Sequence, residues 1–257
     1  MLTMSAAGPP RILHMGCGTS FLSFHLRVYV DDPAQIHNVD FSAQAIELGK
    51  VKETEMFGAD EHTSSSGTTA LNGASVERAQ PVFMRCERAE IPEMRTRKGR
   101  RMRWSTADLL SLPSLDSTCG NGKYAVVVEK STSDATACGK DVEVGLPFRL
   151  TPSSGGSKSH AKEHAFIHPV DILALHLASP TQPGGRWIAL SYSAACFPFL
   201  SEVEEKRMVE QSYPEGFPDP ATYRRLERKE PIEDAQTGNA KASDCVHRPE
   251  VVHWLYV

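Results

Sequence analysis

Arg11-Ile-Leu-His-Met-Gly-Cys-Gly-Thr-Ser-Phe21 is a short apolar run broken by two glycines and followed by a capping residue. It reads as a buried strand entering a Gly-rich turn, Gly16-Cys17-Gly18, with Ser20 placed to cap a helix from Phe21 to about Val30. Ile36-His-Asn-Val39 reads as a second strand ending at Asp40, and Phe41-Ser42 leads into a helix carrying Ala45, Ile46, Leu48 and Val51. Strand, helix, strand, helix in so short a space predicts a parallel α/β sheet.

Working outward, the periodicity fails between Gly58 and Gln80, a stretch rich in Ser, Thr, Gly and Ala. From Arg78 to Arg103 arginines dominate, with Glu87, Glu90 and Glu93 as the acids. This reads as a solvated insertion; the competing reading is a basic patch for an acidic partner or RNA. No aromatic interleaving supports base stacking, which argues against RNA. Order returns in the strand Met102–Ala107, which ends at Asp108 and continues into Leu109-Leu-Ser-Leu-Pro113. Tyr124-Ala-Val-Val-Val128 is the clearest buried strand, followed by Glu129-Lys-Ser-Thr-Ser-Asp134. Leu146 to Ser159 reads as a loop, and Val170 to Ser179 as an amphipathic helix stopped by Pro180 and Pro183-Gly-Gly185. Arg186–Ser191, Tyr223–Ile232 and Val251–Val257 complete the expected strands.

Composition limits the rest. The 257 residues are 40% hydrophobic and 23% charged, which suits one globular domain or two small ones. The net charge of -4 supplies no general attraction for nucleic acid or anionic membrane. No apolar run is long enough to span a bilayer, and Met1–Pro10 lacks the basic and apolar regions of a signal peptide. A cytoplasmic protein is expected. The six cysteines are scattered without a C-x-x-C pair, so reduced thiols and no structural zinc are expected. His160-Ala-Lys-Glu163-His164 fits H-x-x-E-H, a zinc pattern when helical. Its polar surroundings favour a solvated helix entrance instead.

In an open parallel sheet, ligands bind beyond the carboxyl ends of the strands. Four features fall at such ends: Gly16/Gly18, Asp40, Asp108 and Glu129–Asp134. The glycines admit close backbone approach, and Asp40 lies about 20 residues on, where a carboxylate can grip ribose hydroxyls. A dinucleotide fingerprint would need a third glycine where Phe21 stands, and Gly120-Asn-Gly-Lys123-Tyr is no Walker A loop. The pattern favours a nucleoside without pyrophosphate.

Arg11–Ser23 resembles the first motif of class I S-adenosylmethionine-dependent methyltransferases. It is most similar to the branch with L-G-C-G-N-S-x-L-S, which includes the elongation factor 1-alpha lysine methyltransferases. Asn38-Val-Asp-Phe-Ser42 is similar to the ribose-binding motif, and Ala107-Asp108 resembles the acid beside the adenine. Tyr124–Ala135 resembles D-x-V-x-D-K-G-T-L-D-A, Gln182–Ser191 the fifth strand and Val252–Val257 the last. In the family pattern Thr19 stands for Asn, and Glu129, Ser131 and Ser133 stand for Asp, Gly and Leu. Met15 stands where many class I enzymes carry an acid. The family's helices before the first strand have no counterpart in Met1–Pro10, so the expectation is either a shortened gene product or another segment that covers the cofactor.

The resemblance implies a Rossmann-like seven-stranded, mostly parallel sheet with helices on both faces, formed by one domain over 1–257 with an irregular insertion at about 58–101. It implies S-adenosylmethionine as cofactor, held by Gly16, Cys17, Gly18, Ser20, Asp40, Phe41, Asp108, Leu109 and Glu129. Glu129 and Asp134 would serve the transferred methyl; their alternative is a helix cap or an ion pair with Lys130. The acceptor would be a protein lysine or a small molecule. Two other readings compete: a non-catalytic relative that binds partners through its Arg-rich insertion, and a nucleotide-dependent oxidoreductase.

Overall fold

The computed structural model describes residues 9–58, 100–120, 122–150, 163–200, 213–232 and 252–257. Among the described residues nine strands form two sheets. Strands β1 (Ile12–Met15), β2 (Ile36–Asp40), β3 (Arg103–Thr106), β4 (Tyr124–Lys130), β7 (Thr181–Ser191), β8 (Lys229–Ile232) and β9 (His253–Tyr256) make a seven-stranded sheet in the order β3-β2-β1-β4-β7-β9-β8. Strands β1 to β4 and β7 are parallel, and β9 lies antiparallel between β7 and β8. The remaining pair, β5 (Val142–Leu146) and β6 (Glu163–Ile167), forms a separate antiparallel hairpin. The fold is α/β and Rossmann-like.

Helices cover both faces because the strands are apolar on both. Helix α1 (Leu22–Leu26) continues as a 3-10 turn, Arg27–Tyr29, and α2 (Ala43–Phe57) follows β2. On their side Phe24, Ile36 and Met102 form a core cluster, with Ile12, Phe57 and Trp104 packed on it. On the other face α3 (Leu112–Cys119) and α5 (Pro169–Ala178) bring Leu115, Leu173 and Leu177 against Leu13, Met15, Val39 and Val127. The short α4 (Thr132–Ala137) sits after β4.

A buried carboxylate fixes where the chain re-enters at β3. Glu53 of α2 accepts from Arg27 at 2.5 Å, from the Met102 N–H at 2.8 Å and from the Trp104 indole at 2.8 Å. Arg27 also donates to the Arg100 carbonyl at 2.9 Å. A buried ion pair adds stability only when its remaining hydrogen-bonding sites are filled, and these are.

Several expectations are corrected. Leu109–Pro113 does not merely follow β3: Ser111 accepts from the Ser114 N–H and starts α3, with Pro113 in its first turn. Leu146 belongs to β5, and Glu163 and His164 lie on β6, so H-x-x-E-H has no helical spacing; His164 faces Glu143 at 3.4 Å. His160 lies outside the described residues. Helix α5 is not amphipathic, since every residue from Pro169 to Leu177 is buried. Only Lys229–Ile232 of the stretch expected from Tyr223 is strand. Helix α1 is capped from Phe21, although the Ser20 hydroxyl still accepts the Leu22 N–H at 3.1 Å. Most of the Arg-rich stretch lies outside the described residues; Arg100 pairs with Asp32, and Arg103 is a half-buried strand residue whose guanidinium donates to the Tyr124 hydroxyl at 3.2 Å.

The buried α5 carries an acid. Asp171 is 4% exposed and its Oδ1 has no partner among the described residues. Burial pushes its carboxyl up to about 6, against the pull of His168 and Tyr213; Asp219 and Asp141 push it further. The folded state thus binds an extra proton between the unfolded pKa of about 4 and about 6. That stabilisation is complete below about pH 4 and is lost as pH rises through 6. Asp171→Asn is expected to gain on the parent between pH 4 and pH 8, by about 2 kcal/mol in denaturant melts.

Candidate cofactor site

Strands β1 and β4 are neighbours, but the chain leaves β1 toward β2 and returns to β4 from β3. The strand order therefore reverses between them, and the crevice beyond their carboxyl ends is where this class of sheet binds ligands. The loops after β1, β2, β3 and β4 meet there through specific bonds.

The first turn is held open by its glycines. Gly16 and Gly18 have φ of 57° and 49°, a region that side chains rarely occupy. A Cβ on Gly16 would lie 2.1 Å from the Thr132 hydroxyl, at the start of α4. Thr132 fills that space and donates to the Met15 carbonyl at 3.2 Å, locking the β1 turn to the β4 loop. Beside Gly18 there is open space, the first contact of a Cβ being the Gly16 carbonyl at 4.0 Å. Backbone is thus exposed to an approaching ligand at Gly18 and braced at Gly16.

Asp40 ties the second loop to the first. Its Oδ2 accepts the Gly18 N–H at 2.8 Å and its Oδ1 the Ser42 N–H at 2.8 Å. A carboxylate offers about four acceptor positions, so two stay available for vicinal hydroxyls. The Asp40 carbonyl accepts the Ala107 N–H at 2.9 Å, which sets Asp108 beside this pair of loops. Asp108 Oδ1 accepts the Leu110 N–H at 2.9 Å, while its backbone N–H is held by the Ser114 hydroxyl at 3.0 Å. The Leu109 carbonyl accepts from His176 of α5 at 3.0 Å, and its side chain packs on the core. Cys17 is buried and its thiol is pushed up to about 12, chiefly by burial and then by the Asp40 charge; it stays neutral. Phe41 is 76% exposed at the mouth of the same loops. Phe21, in the place a dinucleotide fingerprint gives to glycine, tilts against Phe24 with ring centroids 5.8 Å apart.

The fourth loop is the most tightly bonded. Glu129 is 3% exposed, and its Oε2 accepts the Thr132 and Ser133 N–H groups at 2.7 and 2.9 Å. Its Oε1 accepts the Ser133 hydroxyl. Burial raises its pKa and these donors oppose that. Of the roles expected for Glu129, the helix cap is the one these bonds make. Asp134 accepts the Ser191 hydroxyl at 2.5 Å and the Tyr192 N–H at 3.0 Å, joining α4 to the end of β7. Both residues therefore shape the loop between β4 and α4. The ties from Thr132 to the Met15 carbonyl and from Asp134 to the end of β7 carried no signal in the sequence.

Ser131 adopts a backbone conformation that suits glycine better than serine. Its φ is 61°, a left-handed conformation that costs a side chain about 1–2 kcal/mol. Its hydroxyl is buried with no partner among the described residues. Ser131→Gly is expected to raise the melting temperature by about 2–4 °C, read by calorimetry.

No family model matches the sequence, and no curated protein matches it. Solved structures do. An S-adenosylmethionine-dependent methyltransferase from Clostridium acetobutylicum is 10% identical with a TM-score of 0.36, over 72% of this chain and 44% of its own. The CurJ carbon methyltransferase is 11% identical with a TM-score of 0.43, over 99% of this chain and 49% of its own. The rRNA methyltransferase aviRa from Streptomyces viridochromogenes is 13% identical with a TM-score of 0.41, over 98% of this chain and 78% of its own. The chain spans less than half the length of the first two. No helix among the described residues is long and apolar enough to cross a membrane.

Proposed function

We propose that the protein transfers the methyl group of S-adenosylmethionine to a nucleophile. The observation that carries this reading is the carboxylate of Asp40 accepting the Gly18 N–H, at the point where the strand order reverses. That bond joins the first two motifs of the class I resemblance in one place and leaves acceptor capacity on Asp40 and open space at Gly18.

The cofactor brings a methyl already activated by its sulfonium, so the protein's work is alignment and exclusion of water. The Gly16–Gly18 backbone would face the methionine part. Asp40 would accept both ribose hydroxyls in charge-assisted bonds. Asp108 Oδ2 would accept the adenine amino group, with Leu109 beside the ring. Cys17, Ser20 and Phe41 complete the expected binding set. Glu129 would act by holding the loop at the start of α4, and Asp134 by fixing that loop against β7. If the acceptor is an amine it must lose a proton before attack, and either carboxylate is placed on the loop that would orient it.

A protein lysine is the acceptor this reading favours, on the likeness of Tyr124–Ala135 to the lysine methyltransferase signature; a small molecule is the second. The same reading treats 1–257 as one cytoplasmic domain with an insertion at about 58–101. It is supported by β3, which pairs with β2 directly after that stretch. Incubating the protein with methyl-labelled S-adenosylmethionine and a cell extract tests it. Label in the protein fraction is expected; label only in small molecules would move the acceptor class, and label in neither would overturn the proposal.

A further inference from the structure

A second cavity lies at the far end of the sheet. It has a volume of about 350 Å³ and is walled by the middle of β7, by Phe197 and Leu200, by the end of β9 and by residues 221–227. Arg186 and Trp187 pair with Val126 and Val127, which in turn pair with Ile12 and Leu13. The cavity takes no lining residue from the loops after β1, β2, β3 and β4 that carry Gly16, Gly18, Asp40 and Asp108.

Its charges do not balance. Glu227 is engaged by two other cations, Arg186 at 3.1 Å and Arg225 at 3.6 Å. Arg224 has no carboxylate partner among the described residues: its one hydrogen bond is a long one to the Thr181 hydroxyl, at 3.4 Å. Its Nε is buried without a partner among the described residues, and so is the Trp187 indole N–H in the same wall. Its guanidinium carbon stands 5.7 Å from the centre of the Trp187 ring. Burial lowers its pKa to about 10, so it remains charged at neutral pH. A half-buried guanidinium without an anion is costly, and a ligand that supplies one recovers the cost. Part of the remaining wall is aromatic: Trp187 meets Phe197 edge-on at 4.9 Å, and Tyr223 and Tyr256 also line the cavity. A cavity of mixed polar and apolar lining, with a half-buried cation lacking a carboxylate among the described residues, suits a small ligand that brings a negative charge.

We propose that this cavity binds a small aromatic anion, one ring carrying a carboxylate or a phosphate, with the anion on Arg224 and the ring against Trp187 and Phe197. The site is separate from the methyltransfer crevice and does not depend on that reading.

Titration calorimetry of the full chain with phenylacetate, phenyl phosphate and benzyl alcohol tests it. At least one of the two anions is expected to bind with a dissociation constant below about 1 mM, and the better one identifies the head group. Benzyl alcohol, with the ring but no charge, is expected to bind at least about tenfold more weakly. Arg224→Gln is expected to weaken the anion by about tenfold or more. Ala221→Leu fills the cavity, leaves Arg224 in place and is expected to abolish binding; it decides the matter if Arg224→Gln does not fold. Failure of both anions to bind, equal binding of benzyl alcohol, or binding unchanged in either folded variant would overturn the proposal.

Discussion

Asp40→Ala is expected to weaken S-adenosylmethionine binding about a hundredfold or more, measured by calorimetry. Two effects combine. The substitution removes the acceptor for the ribose hydroxyls, where each charge-assisted bond is worth about 1.5–3 kcal/mol. It also frees the N–H groups of Gly18 and Ser42, which Asp40 holds at 2.8 Å each, and so loosens the turn that must face the cofactor. Asp40→Asn separates the two. Its amide oxygen can keep one N–H but presents no charge, so it is expected to fall between Ala and the parent. A Kd unchanged in Asp40→Ala would remove the ribose assignment, and with it the main support for the cofactor.

Gly16→Ala carries the second large effect, and it falls on stability. A Cβ there meets three side-chain atoms of Thr132 within 2.9 Å, and the backbone already sits at a positive φ. Thr132 cannot withdraw without giving up its bond to the Met15 carbonyl and disturbing the N–H that Glu129 accepts. Steric and conformational costs together are expected to reach about 3 kcal/mol, or a fall of about 6–12 °C in melting temperature. Adding Thr132→Ala removes the two closest atoms and is expected to restore part of the loss. Gly18→Ala meets no such wall, so it should destabilise less while still obstructing the ligand side of the turn.

The strands of the parallel region were legible because they are buried on both faces. Leu13, Val39 and Val127 sit in apolar runs that stop at a glycine or an acid, so period and punctuation agreed. The β5–β6 hairpin was hidden because Val142-Glu-Val-Gly-Leu146 is short, contains a glycine and precedes a Ser/Gly-rich stretch. Helix α3 was hidden because Leu112-Pro113 looks like a turn, although proline in a first helical turn is a start signal. Helix α5 was found but its environment was misjudged: it was expected to be amphipathic, and even its polar residues Asp171 and His176 are buried. At the candidate site, the positions of Gly16, Gly18 and Asp40 follow from local pattern. The bracing by Thr132, Glu129 and Asp134 is long-range or depends on one left-handed residue, Ser131, and no local period encodes it. The cavity at Arg224 is still further from sequence, since its wall joins residues of β7, β9 and the 221–227 segment.

The Glu53 carboxylate has a consequence for the connection between α2 and β3. It grips Arg27 on one side and Met102 and Trp104 on the other, while Arg27 holds the Arg100 carbonyl. The carboxyl-terminal half of α2 and the start of β3 are thereby fastened to each other and to Arg27 by side-chain bonds. Lengthening a connection whose ends are already anchored costs little, about 0.6 kcal/mol per doubling. At this edge of the sheet α2 and β3 are therefore held together by bonds of their own, whatever length of sequence joins them.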